Sequence, residues 1–371
     1  MRLPLVEWLV SQYSDTSLEN VRIIACQHIL ETTHAMFRAL YTLGLKPQNV
    51  SLIGKCYSTN TEVLEEMRAD GLDVSEFSTS YQSHTSFDKQ YDRYVRKFIE
   101  SRVNTDALRT YERVILLDDG GLLIPHAMKA CLGLENVIGI EQTSSGYMRL
   151  QSLFLPFSVI NVARSDAKRL LETPAIAKKL MESLAEKLGH AAIEESKFLL
   201  LGGGVIGQAI HSCLKERAES KIFDIDPNRS HLLSTNFHRS LRDYNVIIGC
   251  TGSMSLPVTS HSRLRKGTTL ISASSSDREF DAVHLRRHLP PTSNCWEDAK
   301  WKGLTLVNGG FPINFSGHRQ SVSASAIQLT RALLAGAIIQ ASRDEIAGGQ
   351  FIALDSGIQH MALGAYQVKA A

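Results

Sequence analysis

Residues that could transfer protons follow apolar segments of this chain, where a parallel sheet places its ligands. Asp118 and Asp119 come directly after the apolar residues 114–117, and His28 comes shortly after residues 21–26. Ligands of open α/β sheets bind at the carboxyl ends of the strands, so carboxylates and an imidazole there suit acid–base chemistry. A solvated Asp-Gly turn and a structural histidine are the alternatives that the pattern leaves open.

Two further segments carry polar groups. A hydroxyl-rich loop, Glu-Gln-Thr-Ser-Ser-Gly at residues 141–146, follows the predicted strand 136–140 and suits a ligand loop or a capped turn. Lys168 lies in the charged, helical segment 167–190, which we interpret as a connector between domains. A lysine in a desolvated cleft can act as a base, whereas a lysine on an amphipathic helix is usually solvated.

A glycine-rich segment follows the predicted strand 198–201. Residues 202–207 read Gly-Gly-Gly-Val-Ile-Gly, which matches GxGxxG and opens a helix. Gly202 would permit a tight turn, Gly204 would let backbone approach a pyrophosphate, and Gly207 would allow close helix packing. The alternatives are a turn that binds nothing and a site for S-adenosylmethionine or flavin.

The next predicted strand ends at Asp224, whose carboxylate would accept hydrogen bonds from an adenosine ribose and repel a 2′-phosphate. We therefore predict that the chain binds NAD rather than NADP. The predicted cofactor residues of this segment are Gly202, Gly204, Val205, Ile206, Gly207 and Asp224.

Composition excludes several classes of protein. The chain has 371 residues, 43% of them hydrophobic and 21% charged, with a net charge of +2. This balance argues against nucleic-acid binding, and no apolar run approaches the roughly 20 residues that a membrane helix needs. The six cysteines form no CxxC pair and the start lacks a signal-peptide core, so we expect free thiols, no metal site and a cytoplasmic protein.

The elements that must position these residues alternate between strands and helices, which predicts parallel sheets covered on both faces. The predicted strands are residues 21–26, 49–53, 114–117, 136–140, 198–201, 221–223, 245–248, 268–273 and 304–307, and the predicted helices include 31–43, 60–68 and 321–342. Residues 81–100 are predicted to be a surface helix or loop. We predict two α/β domains: a Rossmann NAD-binding domain, 190–320, inserted into a substrate-binding domain, 1–185, that 321–371 completes.

Several segments, in order and spacing, resemble those of the S-adenosylhomocysteine hydrolases over about residues 20–335. The matching segments are 22–28 (Arg-Ile-Ile-Ala-Cys-Gln-His), 57–60 (Tyr-Ser-Thr-Asn), 115–121 (Ile-Leu-Leu-Asp-Asp-Gly-Gly), 139–146 (Gly-Ile-Glu-Gln-Thr-Ser-Ser-Gly), 161–172 (by the spacing of Asn-Val, Ser, Lys and an acid), 224–227 (Asp-Ile-Asp-Pro), 251–252 (Thr-Gly) and 306–310 (Leu-Val-Asn-Gly-Gly).

The resemblance implies a redox cycle in which bound NAD takes hydride from the ribose 3′-carbon of a nucleoside. The group at C5′ is then eliminated, water adds and the hydride returns. By this resemblance Lys168 would help to remove the hydroxyl proton, Glu172 would hold Lys168, and Asp119 and His28 would transfer protons. The implied cofactor contacts are Thr143, Ser144, Ser145, Thr251, Gly252 and Asn308, and the implied substrate contacts are Glu31, Gln142 and His318.

The chain also departs from the family's pattern. Gln142 replaces a glutamate, residues 272–275 (Ser-Ala-Ser-Ser) replace an Asn-x-Gly-His segment, and Glu31 is only a possible counterpart of a substrate-side residue. We therefore expect an NAD-dependent homo-oligomeric enzyme that oxidises a ribose-type hydroxyl of a nucleoside or sugar-like substrate. We do not expect efficient hydrolysis of S-adenosylhomocysteine. The alternatives are a dehydrogenase of another hydroxy compound and a catalytically inactive, NAD-binding regulatory homologue.

Overall fold

The computed structural model describes residues 1–343 and 348–370, apart from the side chains of 167, 169–173, 175 and 368–370. The chain divides into two compact units. The first unit comprises residues 1–80, 92–172 and 323–371, and the second comprises residues 81–91 and 173–322. Both are α/β units built on largely parallel sheets, which confirms the predicted fold class.

The strands, in chain order, are β1 (Val21–Cys26), β2 (Val50–Ile53), β3 (Asp73–Val74), β4 (Arg113–Asp118), β5 (Val137–Glu141), β6 (Val159–Asn161), β7 (Lys197–Leu201), β8 (Glu219–Phe223), β9 (Val246–Gly249), β10 (Thr269–Ser272), β11 (Ala299–Trp301), β12 (Leu304–Leu306) and β13 (Phe351–Ala353). The first unit's sheet has the order β13-β6-β5-β4-β1-β2-β3, with every pair parallel. The second unit's sheet has the order β11-β12-β10-β9-β7-β8, parallel except for β11 with β12.

The helices are α1 (Pro4–Ser11), α2 (Glu31–Tyr41), α3 (Thr61–Ala69), α4 (Phe87–Arg102), α5 (Thr105–Leu108), α6 (Leu123–Met128), α7 (Ser144–Leu150), α8 (Asp166–Leu188), α9 (His190–Glu194), α10 (Val205–Leu214), α11 (Ser234–Ser240), α12 (Val258–His261), α13 (Ala282–Arg286), α14 (Ala324–Arg343) and α15 (Ser356–Ala370). They follow strands in both units, and the buried central strands are rich in Val, Ile and Leu, as expected where helices cover both faces of a sheet.

The core of the first unit is built around α14. This helix packs against α1, α2 and the central strands, and its residues 329–341 are buried. Among the described residues it is the one helix long and apolar enough to cross a membrane, and 72% of its apolar window is buried inside the protein. The helix predicted at 321–342 therefore exists as a core helix.

Two expectations about boundaries differ from the structure. The chain divides after residue 172 rather than near 185–190, because Leu180 and Leu184 of α8 join the core of the second unit. Residues 81–100, predicted as a surface helix or loop, include most of α4, which has an exposed face and a buried one. Tyr91, Tyr94 and other apolar residues of α4 are buried, and 81–91 belong to the second unit.

Candidate functional site

The carboxyl ends of the central strands in the first unit bring polar side chains together. His28 follows β1, Lys55 follows β2, Asp119 follows β4 and Gln142 follows β5. Because these strands are parallel and adjacent, the residues that follow them meet at one edge of the sheet. Sequence analysis named three of the four, and the fourth, Lys55, carried the same signal in its position directly after a strand.

Asp119 lies at the centre of this cluster and is 5% exposed. One carboxylate oxygen accepts a hydrogen bond from the Lys55 ammonium at 2.5 Å, and the other accepts one from the Gln142 amide. Lys55 also donates to the main-chain carbonyl of Asp119 at 2.8 Å. His28 Nε2 lies 3.4 Å from Asp119 Oδ2. The carboxylate is thus held from three sides.

Lys55 and Asp119 form a buried ion pair. Burial opposes both charges, yet the Lys55 ammonium and His28 together hold the pKa of Asp119 well below its usual range. Burial likewise opposes the lysine charge, but the Asp119 carboxylate raises the pKa of Lys55 above its usual range. Both groups are therefore ionised at neutral pH, and Asp119 is a fixed negative charge.

His28 is neutral at the same pH. Burial lowers its pKa to about 4, and the opposing effect of Asp119 is smaller. Its Nδ1 lies 2.5 Å from the hydroxyl oxygen of Ser58. The Ser58 hydroxyl also lies 3.4 Å from the Lys55 carbonyl oxygen, to which it can donate. Because an ionised carboxylate can only accept, Asp119 favours the tautomer with the proton on Nε2, in which Nδ1 accepts from the Ser58 hydroxyl.

Gln142 links the cluster to two more cations. Its side-chain carbonyl accepts from Gln27 at 3.0 Å, and Gln27 in turn accepts from Arg331 of α14 at 3.1 Å. The Lys168 ammonium, on the first turn of α8, donates to the main-chain carbonyl of Gln142. The structure therefore brings Lys168 to the same edge as Asp119. The side chain of Glu172 lies outside the described residues.

A second pair of carboxyls, Asp118 and Glu141, lies beside the first. They occupy facing positions in the register of β4 and β5, and both are fully buried. Within the described part of the chain, Asp118 Oδ1 and Glu141 Oε2 have no hydrogen-bond partner. Burial raises the pKa of Asp118 to about 6 and the pKa of Glu141 well above its ordinary value.

Glu141 also shapes the loop that follows β5. Its Oε1 accepts hydrogen bonds from the Thr143 amide at 2.6 Å and the Thr143 hydroxyl at 2.7 Å. A side chain at Gly146 would place its Cβ 2.3 Å from this carboxyl group, so the position requires glycine. Thr143 caps α7, and Ser144 and Ser145 are exposed.

The glycine loop of the second unit has the geometry of a phosphate cradle. Gly202 has φ of +106°, a conformation that favours glycine. A Cβ on Gly207 would lie 1.9 Å from the Gly202 carbonyl oxygen, whereas nothing lies within 4 Å of one on Gly204. Helix α10 begins directly after Gly204, without a side-chain cap on its first turn, so its amides face outwards from the loop.

Asp224, directly after β8, stands beside this loop. Its Oδ2 accepts from the Gly203 amide at 2.5 Å and its Oδ1 from the Asp226 amide at 2.8 Å. Each oxygen keeps a further lone pair for another donor. Val205 is 69% exposed and Ile225 is 94% exposed, so two apolar side chains face solvent next to the cradle. The arrangement fits a dinucleotide with an unphosphorylated ribose.

The loop after β9 is held by a residue that sequence analysis missed. The fully buried Glu279 accepts hydrogen bonds from the Thr251 amide at 2.7 Å, the Thr251 hydroxyl at 2.8 Å and the Gly252 amide at 2.7 Å. It lay in no recognised motif, and only its three-dimensional contacts identify it. Asn308 is buried with φ of +49°, and its amide donates to the Phe315 carbonyl at 3.1 Å.

Two further residues, Glu31 and His318, were predicted to bind substrate. Glu31 begins α2 and pairs with the Met1 ammonium at 3.3 Å. His318 is exposed in a loop of the second unit. Their substrate-binding roles stay predictions.

Comparison with known proteins identifies relatives of this chain. Two uncharacterized proteins of Mycobacterium tuberculosis, from strains CDC 1551 / Oshkosh and ATCC 25618 / H37Rv, are 44% identical to it over 345 residues. The aligned region covers 91% of this chain and 67% of each relative. The chain belongs to their family. No family model matches the sequence.

Solved structures of similar fold include oxidoreductase-type proteins. A dipicolinate synthase subunit from Bacillus halodurans is 12% identical with a TM-score of 0.45, covering 87% of this chain and 100% of its own. The NAD⁺-bound 3-phosphoglycerate dehydrogenase of Entamoeba histolytica is 10% identical with a TM-score of 0.41, covering 86% and 95%. At these values nothing about the activity of this chain follows from them, and the resemblance to S-adenosylhomocysteine hydrolases stays a prediction.

Proposed function

We propose that this protein is an NAD-dependent enzyme that oxidises a ribose-type hydroxyl group of a nucleoside or sugar-like substrate. The observation that carries the proposal is the polar cluster at the strand ends of the first unit. There Lys168 donates to Gln142, Gln142 donates to the ionised Asp119, and His28 lies beside Asp119. A general base, a neutral imidazole and a fixed negative charge suit proton removal from a hydroxyl group.

The second unit supports NAD as the cofactor. Gly202, Gly204 and the amino end of α10 would hold the pyrophosphate, and Asp224 would accept hydrogen bonds from the adenosine ribose. Thr251 and Gly252 would contact the dinucleotide from the next loop, in the position that Glu279 fixes. Bound NAD would supply the hydride acceptor of the reaction.

Lys168 is the proposed base. Its ammonium already donates to a main-chain carbonyl, which orients the side chain towards the strand ends. Once the ammonium has given a proton to solvent, the amine would accept the hydroxyl proton of the substrate, and the hydride from the carbon would pass to bound NAD. His28 is neutral and could pass a proton through its Nδ1 and the Ser58 hydroxyl. Asp119 would favour positive charge on the groups around it.

Gln142 supports a substrate other than S-adenosylhomocysteine. Both ends of its amide are used, one by Asp119 and one by Gln27. An amide cannot provide the second anionic acceptor that a glutamate would offer to ribose hydroxyls. A plain dehydrogenase of another hydroxy compound and an inactive NAD-binding homologue remain the alternative functions.

Cofactor titration and product analysis test the proposal. We expect NAD to bind at least about tenfold more tightly than NADP, because a 2′-phosphate would face the Asp224 carboxylate. Purified protein with excess NAD is then incubated with nucleosides, sugars and hydroxy acids. Oxidation that depends on a nucleoside or sugar supports the proposal, and steady NADH formation with hydroxy acids alone favours the plain dehydrogenase. Equal affinity for NAD and NADP contradicts the assignment of Asp224.

A further inference from the structure

No motif in the sequence assigned a role to Lys55. Its ammonium lies under the strand ends, with 9% of the side chain exposed, and donates to both the carboxylate and the main-chain carbonyl of Asp119. Two bonds to one residue fix the Asp119 backbone as well as its side chain. A buried ion pair of this kind is costly to desolvate, so it contributes little net stability and is often retained for another purpose.

The contacts of Asp119 show what the pair could control. One oxygen is occupied by Lys55, which leaves the other oxygen for Gln142 and His28. On its far side the His28 ring meets the Ser58 hydroxyl, so the imidazole is held between an acceptor and a donor. The orientation of the ring therefore depends on where the Asp119 carboxylate points.

We propose that Lys55 is a positioning residue: it fixes the Asp119 carboxylate so that His28 is held as its Nε2–H tautomer, with Nδ1 turned to Ser58. The inference rests on the proposed function for its catalytic meaning, since it makes His28 rather than Asp119 the group that exchanges a proton. Lys55 itself stays protonated and touches no substrate in this account.

Among the residues that the structure describes, four charged groups act on His28. Asp119 favours a protonated ring, whereas Lys55, Arg331 and Lys168 oppose it. Glu141 and Asp118 lie behind Asp119 and are largely uncharged at the acidic pH where His28 titrates, because burial raises the pKa of each. Removing the Lys55 charge should therefore make the imidazole easier to protonate.

Nitrogen-15 NMR of the histidine rings tests the inference without cofactor or substrate, so its outcome is independent of the proposed function. The His28 signals are assigned with His28→Gln. In the wild-type protein we expect the Nε2–H tautomer from about pH 5 to about pH 8. In Lys55→Gln we expect the Nε2–H tautomer to lose its predominance as well as the titration midpoint of His28 to rise, because the Asp119 carboxylate is no longer fixed. In Lys55→Arg, which keeps the charge, both should stay near their wild-type values.

The wild-type measurement and the variant measurement can each overturn the proposal. Wild-type protein needs no substitution, so an Nδ1–H tautomer there overturns the proposal even if the variants do not fold. If Lys55→Gln keeps the wild-type circular dichroism spectrum and His28 keeps its Nε2–H tautomer, Lys55 is only a structural ion-pair partner and the proposal fails. Loss of NAD binding or of oxidation would affect the proposed function and leave this result unchanged.

Discussion

Neighbouring carboxyl groups in the first unit are in different charge states because their partners differ. Asp119 bonds directly to the Lys55 ammonium and stays ionised, whereas for Asp118 burial outweighs the effect of Lys55 and raises the pKa to about 6. Burial and the facing Asp118 carboxyl raise the pKa of Glu141 well above its ordinary value. All three groups are carboxyls, so the difference between their charge states comes from their contacts.

The raised pKa of Asp118 makes stability depend on pH. A carboxyl that binds its proton more tightly in the folded state contributes stability that is fully present below its ordinary pKa and is lost as the pH rises through about 6. Asp118→Asn removes this titration and keeps an oxygen for the Ile124 amide. Between about pH 4 and about pH 7 we expect the unfolding free energy of the variant, measured with urea, to increase relative to that of wild type by up to about 3 kcal/mol.

Asp15→Asn is the control, because that carboxylate is 71% exposed and its ion pair with Arg343 lies at the surface, where such pairs contribute little to stability. Its unfolding free energy should run parallel to the wild-type curve over the same range. If Asp118→Asn also runs parallel, the buried carboxyl is not the group that titrates.

Lys168 is the residue on which the acid–base proposal depends. Lys168→Ala should keep the fold and NAD affinity, because the lysine is distant in sequence from the glycine loop that would hold the cofactor. Substrate-dependent reduction of NAD should fall by about a hundredfold or more, the usual scale for a general base. Lys168→Arg should be nearly as damaging, because a guanidinium stays protonated. If Lys168→Ala reduces NAD at the wild-type rate in stopped-flow absorbance, the lysine is not the general base.

At the scale of elements, two glycines of one loop are needed for different reasons, one for packing and one for the approach of the cofactor. Gly207→Ala would force Cβ against the Gly202 carbonyl, so we expect a lower melting temperature and loss of NAD binding. Gly204 has open space around it and φ of −71°, so Gly204→Ala should fold and melt like wild type. Its affinity for NAD should still drop by about tenfold or more, since the methyl group occupies the approach of the pyrophosphate. Calorimetry measures both, and unchanged NAD binding in Gly204→Ala would contradict the cradle.

The central strands and the glycine loop were predictable because their signals are local. Apolar runs that end in polar residues gave β1, β4, β5 and β7, within a residue or two of the observed bounds. The strands β6 and β13 have three residues each, too few for a pattern. Lys55, Ser58 and Arg331 could not be joined to Asp119 from sequence, because they come from different segments that only folding brings together.

At the scale of the whole molecule, each unit is assembled from separate stretches of the chain. The second unit takes residues 81–91 as well as 173–322, and Arg286 fixes the short stretch by donating to the Ser83 carbonyl at 3.0 Å and to Asp277 at 2.7 Å. Asp277 in turn accepts from the Phe87 amide at 3.2 Å. Composition and local pattern could not assign residues 81–91 to the second unit, because their partners lie about two hundred positions away along the chain.

The predicted resemblance to S-adenosylhomocysteine hydrolases, over about residues 20–335, leads to a prediction about turnover. Gln142 and the Ser-Ala-Ser-Ser segment at 272–275 replace groups that would bind the nucleoside, and each lost polar contact costs about 1 to 3 kcal/mol. We expect little or no release of homocysteine from S-adenosylhomocysteine, measured by thiol detection. Turnover comparable to that of ordinary hydrolases would show that the replaced contacts are dispensable.

The most direct test of the account is the reduction of bound NAD in a single turnover. Wild-type protein loaded with NAD is mixed with a panel of nucleosides and sugars, and the absorbance of reduced nicotinamide is followed, with Lys168→Ala as the matched control. The account predicts a rise with at least one nucleoside or sugar that is lost in Lys168→Ala while NAD stays bound. Protein that binds NAD tightly but shows no rise with any member of the panel would contradict it.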